Sequence, residues 1–154
     1  MLILLRDGYR IRPFRACDAE DLYAVLGDPA VMRYIEPPFS RQQTASFLER
    51  EGLTDPPRVL ALADDGDRVV GQVIFHPYDS KSWELGWILG REHWGRGLAA
   101  ASTAALVERC REMGAARCVI ECHPDQTVTR HIAEKCGFRF AGEADGLAVY
   151  LLHL

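Results

Sequence analysis

The residues best placed to do chemistry in this chain are a pair of glycines and a glutamate one predicted strand upstream of them. The segment Trp94-Gly95-Arg96-Gly97-Leu98-Ala99-Ala100 stands between an alternating apolar run and the start of a long helical pattern. Glycines there let backbone N–H groups come close to a ligand, and the helix end adds unpaired donors and a partial positive charge. A pyrophosphate is the natural guest of such a loop. It is not a P-loop, because no Lys-Ser or Lys-Thr follows the second glycine. Upstream, Trp83, Leu85, Trp87 and Leu89 alternate with Glu84, Gly86 and Ile88. That period of two predicts a strand with Glu84 on the face opposite the tryptophans. A carboxylate at the edge of an apolar cleft is poised to take a proton near neutral pH, because desolvation raises its pKa. Gly86 within the strand predicts a bulge or a close approach to something else.

Other reactive types point elsewhere. His76 and His93 titrate near neutral pH, but a strand-end and a loop position predict no role in proton transfer. The five cysteines, Cys17, Cys110, Cys118, Cys122 and Cys136, are odd in number and form no C-x-x-C pair, which argues for a reducing compartment. Cys122, His123, His131 and Cys136 match no zinc spacing, so no metal is expected. Lys and Arg total 18 against 22 Asp and Glu, a formal charge of −4 that argues against a nucleic-acid partner. Met1 to Leu5 are apolar but too few for a signal or a membrane span, so a cytoplasmic location and no membrane partner are expected.

The 154 residues, 48% hydrophobic and 26% charged, suit one domain over residues 1–154. The predicted strands are Tyr9 to Phe14, Val59 to Ala63, Val69 to Phe75, Trp83 to Leu89, Arg117 to Cys122, Phe138 to Ala141 and Ala148 to Leu152. Asp18 offers an N-cap for a short helix with Leu22, Val25 and Leu26, and a second helix starts after Ser40. The longest helix, Gly97 to Met113, carries Leu98, Ala101 and Ala105 on one stripe, with Leu106, Cys110 and Met113 beside it. A last helix, Gln126 to Cys136, has Val128 and Ile132 four apart. The order β-αα-βββ-α-β-α-ββ predicts an α/β (α+β) fold with a mixed, mostly antiparallel sheet and about four helices. Only the strands flanking the long helix need be parallel.

Gly95 to Ala100 also fits the dinucleotide fingerprint G-x-G-x-x-G/A, with Glu121 ending the next strand where a ribose-binding acid belongs. Against an NAD-binding domain, Arg91 to Trp94 separate the first glycine from its strand, and the upstream hairpin has no place in a doubly wound sheet.

Several motifs in order resemble the GNAT N-acetyltransferase superfamily: Val31-Met32-Arg33-Tyr34 after Asp28-Pro29, Glu84-Leu85-Gly86-Trp87, His93-Trp94-Gly95-Arg96-Gly97-Leu98-Ala99, and Phe138 after Lys135-Cys136-Gly137. The likeness runs from about Tyr9 to Tyr150 and is nearest the RimJ/RimL-like branch, which includes ribosomal-protein N-terminal acetyltransferases. It implies a GNAT fold and acetyl-CoA as cosubstrate. By the resemblance, Ile88, Leu89 and Gly90 pair with the pantetheine arm, and Trp94, Gly95, Arg96, Gly97, Leu98 and Ala99 hold the pyrophosphate. Gln126 and Thr129 stand where the family commonly has Asn and Ser, and Ala133 where some members have a tyrosine acid.

The resemblance further implies acetyl transfer to a primary amine, a small molecule or a protein N-terminus, by direct attack on the thioester in a ternary complex. Glu84 is the base, the Leu89 N–H the oxyanion donor and Thr129 the aid to thiolate departure. Tyr34 and Glu36 lie where this fold varies its acceptor site. A non-catalytic acyl-CoA-binding module is the alternative, and either a monomer or a homodimer is compatible.

Overall fold

In the computed structural model, which describes residues 1–154, these patterns assemble into one eight-stranded sheet with helices on both faces. In chain order the elements are β1 Ile3–Leu4, β2 Arg10–Arg12, α1 Ala19–Leu26, α2 Pro29–Met32, α3 Arg41–Phe47, β3 Val59–Ala63, β4 Val69–Pro77 and β5 Ser82–Leu89. They continue with α4 Leu98–Glu112, β6 Arg117–Cys122, α5 Thr127–Lys135, β7 Arg139–Ala144 and β8 Leu147–His153. The strand order is β1-β2-β3-β4-β5-β6-β8-β7. Every neighbouring pair is antiparallel except β5 and β6. A doubly wound dinucleotide sheet, parallel throughout its strands, is therefore not what the chain forms.

Two elements escape periodicity because they are too short to show it. β1 adds two residues to the sheet edge, Ile3 opposite Ile11 and Leu4 opposite Arg10. α2 is a single turn set by Pro29 at its start and by Asp28, whose side chain accepts the Ala30 N–H at 3.0 Å.

Strand alternation divides the core in two. One face packs Val73, Phe75, Leu85, Leu89, Cys118 and Ile120 under Leu98, Leu106 and Cys110 of α4 and Ala133 of α5. The other packs Ala61, Val69, Ile74 and Ile88 against Leu22, Val25 and Leu26 of α1, with Met32 and Leu48. The core stripe of α4 is rotated from the expected one: Ser102, Thr103 and Val107 are buried, Ala101 and Ala105 only half-buried, and Met113 is exposed. Thr103 reaches the core at little cost because it donates its hydroxyl to the Ala99 carbonyl at 2.8 Å, whereas the buried Ser102 hydroxyl has no partner. Val128 faces solvent, and Ala133 takes the buried position of α5.

Asp18 precedes α1 but does not cap it. Its carboxylate turns to Arg12, accepting from Nη1 at 2.8 Å and Nη2 at 3.1 Å, because a buried guanidinium needs a counter-charge more than a helix end needs one acceptor.

Candidate active site

The site is made by the strands parting. β5 and β6 pair through Ser82↔Arg117, Trp83↔Cys118 and Glu84↔Val119, and no further. β5 stays paired to β4 along its other edge up to Leu89↔Gly71, without a register shift. The bulge expected at Gly86 is absent; divergence of the strands opens the sheet instead. The other expectation for Gly86, a close approach, is met, since a Cβ there would stand 2.9 Å from Ile74 Cδ1.

Which groups face the gap follows from the ladder. Gly90 donates to the Val70 carbonyl and Tyr78 to the Ser82 carbonyl, so even-numbered residues of β5 point their backbone groups at β4. Odd-numbered residues point theirs at β6, as Lys81 does in accepting from Ala116. Beyond the last paired rung, Trp87 and Leu89 thus turn backbone groups into a gap with no strand to receive them. The Leu89 carbonyl accepts the Trp94 indole N–H at 3.0 Å, which leaves the Leu89 N–H as a free donor. Ile88 turns toward β4, and Gly90 is engaged on both sides, donating to Val70 and accepting from His93.

At the outer end of β5 the chain makes one 3-10 turn, Arg91–His93, and enters the glycine loop. Gly95 and Gly97 have φ of +75° and +73°, a left-handed conformation that side-chain-bearing residues avoid. Gly97 is the N-cap of α4, and none of the N–H groups from Gly95 to Ala100 has a protein acceptor. A Cβ on Gly95 would meet nothing within 4 Å, so the loop is open to a ligand. This run of free donors at a helix start fits a diphosphate. Leu98 and Ala99 anchor the loop from beneath as buried core residues. Trp94 and Arg96 are exposed, and Arg96 donates to Tyr9 Oη at 3.1 Å.

His93 ties the loop to Tyr9: its Nδ1 lies 2.8 Å from Tyr9 Oη, and burial together with Arg96 pushes its pKa below the usual histidine value. A cation that sequence gave no reason to choose also stands here. A Cβ on Gly97 would meet Arg6 Nη1 at 3.4 Å, so the turn after β1 brings a guanidinium to the loop. Arg6, Arg96 and the two glycines border an open pocket of about 700 Å³.

Glu84 occupies the last paired rung of β5, at the vertex of the gap. Its side chain is 22% exposed, and its Oε2 lies 3.0 Å from His76 Nε2. This partner comes from β4, where His76 is the register mate of Glu84. The contact with Glu84 raises the His76 pKa, against an opposing effect of burial. His76, expected from its strand-end position to take no part in proton transfer, is thus brought into contact with Glu84. Folding the Val69–Phe75 and Trp83–Leu89 runs as an antiparallel hairpin about Ser80 would have set it opposite Glu84. On the same face Tyr78 donates to Glu121 at 2.6 Å, and the carboxylate pushes the phenol up to about 12.

The remaining expected residues divide. Thr129, in the first turn of α5, is half-buried and its hydroxyl makes no protein hydrogen bond. Gln126 precedes α5, and its side-chain oxygen accepts the His123 N–H at 2.9 Å, closing the loop after β6. Tyr34 stacks on His123 with ring centres 5.4 Å apart, so the loop after α2 reaches the open end of β6. Glu36 is exposed and borders a separate pocket with Phe39, Gln42, Gln43, Ser46 and Arg50, away from Glu84. Ala133 is fully buried. No three His, Cys, Asp or Glu side chains are arranged to hold a metal ion, and no helix is long and apolar enough to cross a membrane.

Residues 9–139 match the family model described as Acetyltransferase (GNAT) domain. The uncharacterized N-acetyltransferase YnaD of Bacillus subtilis (strain 168) is 25% identical over 135 residues, 86% of this chain and 79% of that protein. The fold is that of an acetyltransferase (GNAT family) from Bacillus anthracis, with a TM-score of 0.89 over 99% of this chain and 98% of the other at 24% identity. The ribosomal L7/L12 alpha-N-protein acetyltransferase RimL, solved in complex with coenzyme A, superposes with a TM-score of 0.83 over 100% of this chain and 98% of its own, at 18% identity.

Proposed function

The chain belongs to the GNAT acetyltransferase family, and from that premise we propose that it transfers the acetyl group of acetyl-CoA to a primary amine within a ternary complex. The observation that carries this reading is the parting of β5 from β6 directly after Glu84, with the open glycine loop at the far end of the same strand. Bound acetyl-CoA supplies a thioester, whose carbonyl carbon is the electrophile. The N–H groups from Gly95 to Ala100 hold its pyrophosphate, with Trp94 and Arg96 as flanking contacts. The exposed β5 edge at Trp87 and Leu89 receives the pantetheine arm in place of a strand, with Ile88 and Gly90 fixing that edge against β4. The Leu89 N–H polarises the carbonyl oxygen; a donor preorganised away from water stabilises developing negative charge far better than one that must reorient.

An amine is nucleophilic only when neutral. Glu84, at the vertex and partly desolvated, takes its proton, directly or through water. The Thr129 hydroxyl, without a protein partner, is free to donate toward the departing sulfur. Tyr34, over the open end of β6, lines the acceptor's entrance, and Glu36 attracts a cationic acceptor at longer range. The acceptor class is a small-molecule amine or a protein N-terminus, as in the ribosomal-protein enzyme named above.

Calorimetry with acetyl-CoA, CoA and NAD, followed by thiol release over a panel of small amines and peptide N-termini, tests the reading. CoA and acetyl-CoA should bind, NAD should not, and at least one amine should accelerate thiol release. Gly97→Glu should abolish measurable CoA binding, since it sets a carboxylate where a diphosphate lies and forces a side chain to φ +73°. Unchanged affinity in a folded Gly97→Glu protein would overturn the site. CoA binding with no active amine would favour a non-catalytic module.

A further inference from the structure

Glu84 does not stand alone at the vertex, and the atoms around its partner are arranged unequally. His76 is 9% exposed, and its Nδ1 lies 2.9 Å from the Pro77 carbonyl. A carbonyl can only accept, so Nδ1 keeps a hydrogen in every protonation state. Nε2 is left as the one position that gains or loses a proton. Two groups compete for it: Glu84 Oε2 at 3.0 Å, which favours a proton there, and Arg58 Nη2 at 3.3 Å, which can only donate and favours the bare nitrogen. Arg58 is held in turn by Glu51, with Nε 3.1 Å from Oε2. Tyr78, at the β4 end, and Glu121 of β6 complete the charged and titratable groups around the pair, and their hydrogen bond to each other leaves them no role at Nε2.

We propose that His76 is a positioning residue for Glu84 and stores at Nε2 the proton that Glu84 removes from the acceptor amine, returning Glu84 to its carboxylate form. The inference rests on Glu84 being the base. The proton balance is simple. The bound ammonium loses an N–H proton to a Glu84 oxygen; the new O–H bond breaks as an N–H bond forms at Nε2, displacing the Arg58 donor. The neutral nitrogen attacks the thioester carbonyl, the carbon–sulfur bond breaks, and the second N–H proton passes to the sulfur by way of the Thr129 hydroxyl or water, so that the coenzyme leaves as the thiol. His76 then gives its proton to water and Arg58 returns. Without His76, a protonated Glu84 must wait for solvent in a site it shares with two bound substrates. Arg58 sets how readily the store empties.

Two measurements test this, one independent of any acceptor. In protein labelled with nitrogen-15 histidine, NMR should show neutral His76 with its hydrogen on Nδ1 and a titration midpoint above 6.5. Glu84→Gln should lower that midpoint and Arg58→Met should raise it, because the first removes the attracting acceptor and the second the competing donor. Neutral His76 with its hydrogen on Nε2, or a midpoint indifferent to both substitutions, overturns the proposal.

The second measurement is kinetic, with the amine that proves active in the panel. The acidic limb of wild-type kcat should follow His76, since the store must be empty before it can fill. His76→Gln keeps a hydrogen-bond donor to Glu84 but cannot hold a proton. It should lower kcat roughly tenfold to a hundredfold, leave the acetyl-CoA KM within about twofold, and move the acidic limb to lower pH. An unshifted limb, or equal losses in kcat and acetyl-CoA affinity, would mean that His76 is only structural. Should Glu84→Gln depress kcat while His76→Gln does not, this inference fails and Glu84 remains the base; should Glu84→Gln itself retain wild-type kcat, the earlier reading fails.

Discussion

Two ion pairs lie on the same face of the sheet, Arg12 with Asp18 and His76 with Glu84, and they are built to opposite ends. Arg12 is 4% exposed and spends every guanidinium donor: two on the Asp18 carboxylate, one on Asp67 Oδ1, one on the Asp67 carbonyl and one on the Pro13 carbonyl. Asp18 accepts a further N–H from Arg15 at 2.7 Å. Such a pair ties β2, the turn before α1 and the β3–β4 hairpin together, and it has no capacity left for a visitor. The pair at the vertex shares one nitrogen among two claimants and leaves Glu84 partly open. Saturation makes a strut; leftover capacity is what the proposed base requires. The two arrangements cannot be told apart by charge or burial alone, only by counting what each atom still lacks.

The contrast can be broken from either side, and the strut should break hardest. Asp18→Asn leaves the buried guanidinium with only the Asp67 carboxylate, which it shares with Arg15, and should cost about 3 kcal/mol of unfolding free energy, read by denaturant titration. The CoA affinity of the molecules that remain folded should be unchanged. Glu84→Gln should do the reverse, lowering kcat/KM roughly a hundredfold, or about 2.7 kcal/mol of transition-state stabilisation, while the thermal midpoint hardly moves. Swapped outcomes would show that spare hydrogen-bonding capacity does not distinguish the two pairs.

A smaller effect sharpens the same difference. Thr44 and Thr103 spend their hydroxyls on backbone carbonyls, at 2.9 Å and 2.8 Å, whereas that of Thr129 has no partner. Thr129→Val should therefore reduce kcat roughly tenfold with little change in CoA binding, and Thr103→Val should leave kcat alone. The smallest effect is in stability against pH. Because Glu84 raises the folded-state pKa of His76, the contribution of the pair is complete below the unfolded histidine value of 6.5 and fades as pH rises through the higher folded value. The stability difference between wild type and His76→Gln should accordingly be larger at pH 5.5 than at pH 8. The corresponding difference for Asp18→Asn, a pair without a histidine, should stay flat across that interval.

Much of the frame was legible in the residues. Arg117 to Cys122 and Val59 to Ala63 are strands with the expected bounds, since their apolar runs end at clear turns. The glycine loop was legible because left-handed backbone and a helix start leave a mark in residue type. What stayed hidden depends on pairing between distant or very short segments. Neither β1 nor the approach of Arg6 to Gly97 follows from local pattern. The gap itself was not legible, because one strand's sequence cannot say where its neighbour departs. His76 was hidden for a related reason: its meaning lies in the rung it shares with Glu84. Asp18 misled because a carboxylate before a helix has two uses, and only the buried Arg12 decides between them.

The seam between β5 and β6 is three rungs long, from Ser82↔Arg117 to Glu84↔Val119, yet it is where five strands built before residue 90 meet three built after residue 116. Above it the two leaves of the sheet stand apart like an open book, held at the spine. A molecule laid between the pages touches both leaves and lends them its own binding free energy, about 2.7 kcal/mol at a concentration a hundred times its dissociation constant. On the proposed function, acetyl-CoA is then also a clasp. Amide hydrogen exchange along Leu85 to Leu89 should slow when CoA is added, and the cohesion of the sheet should rise with the concentration of CoA around the protein.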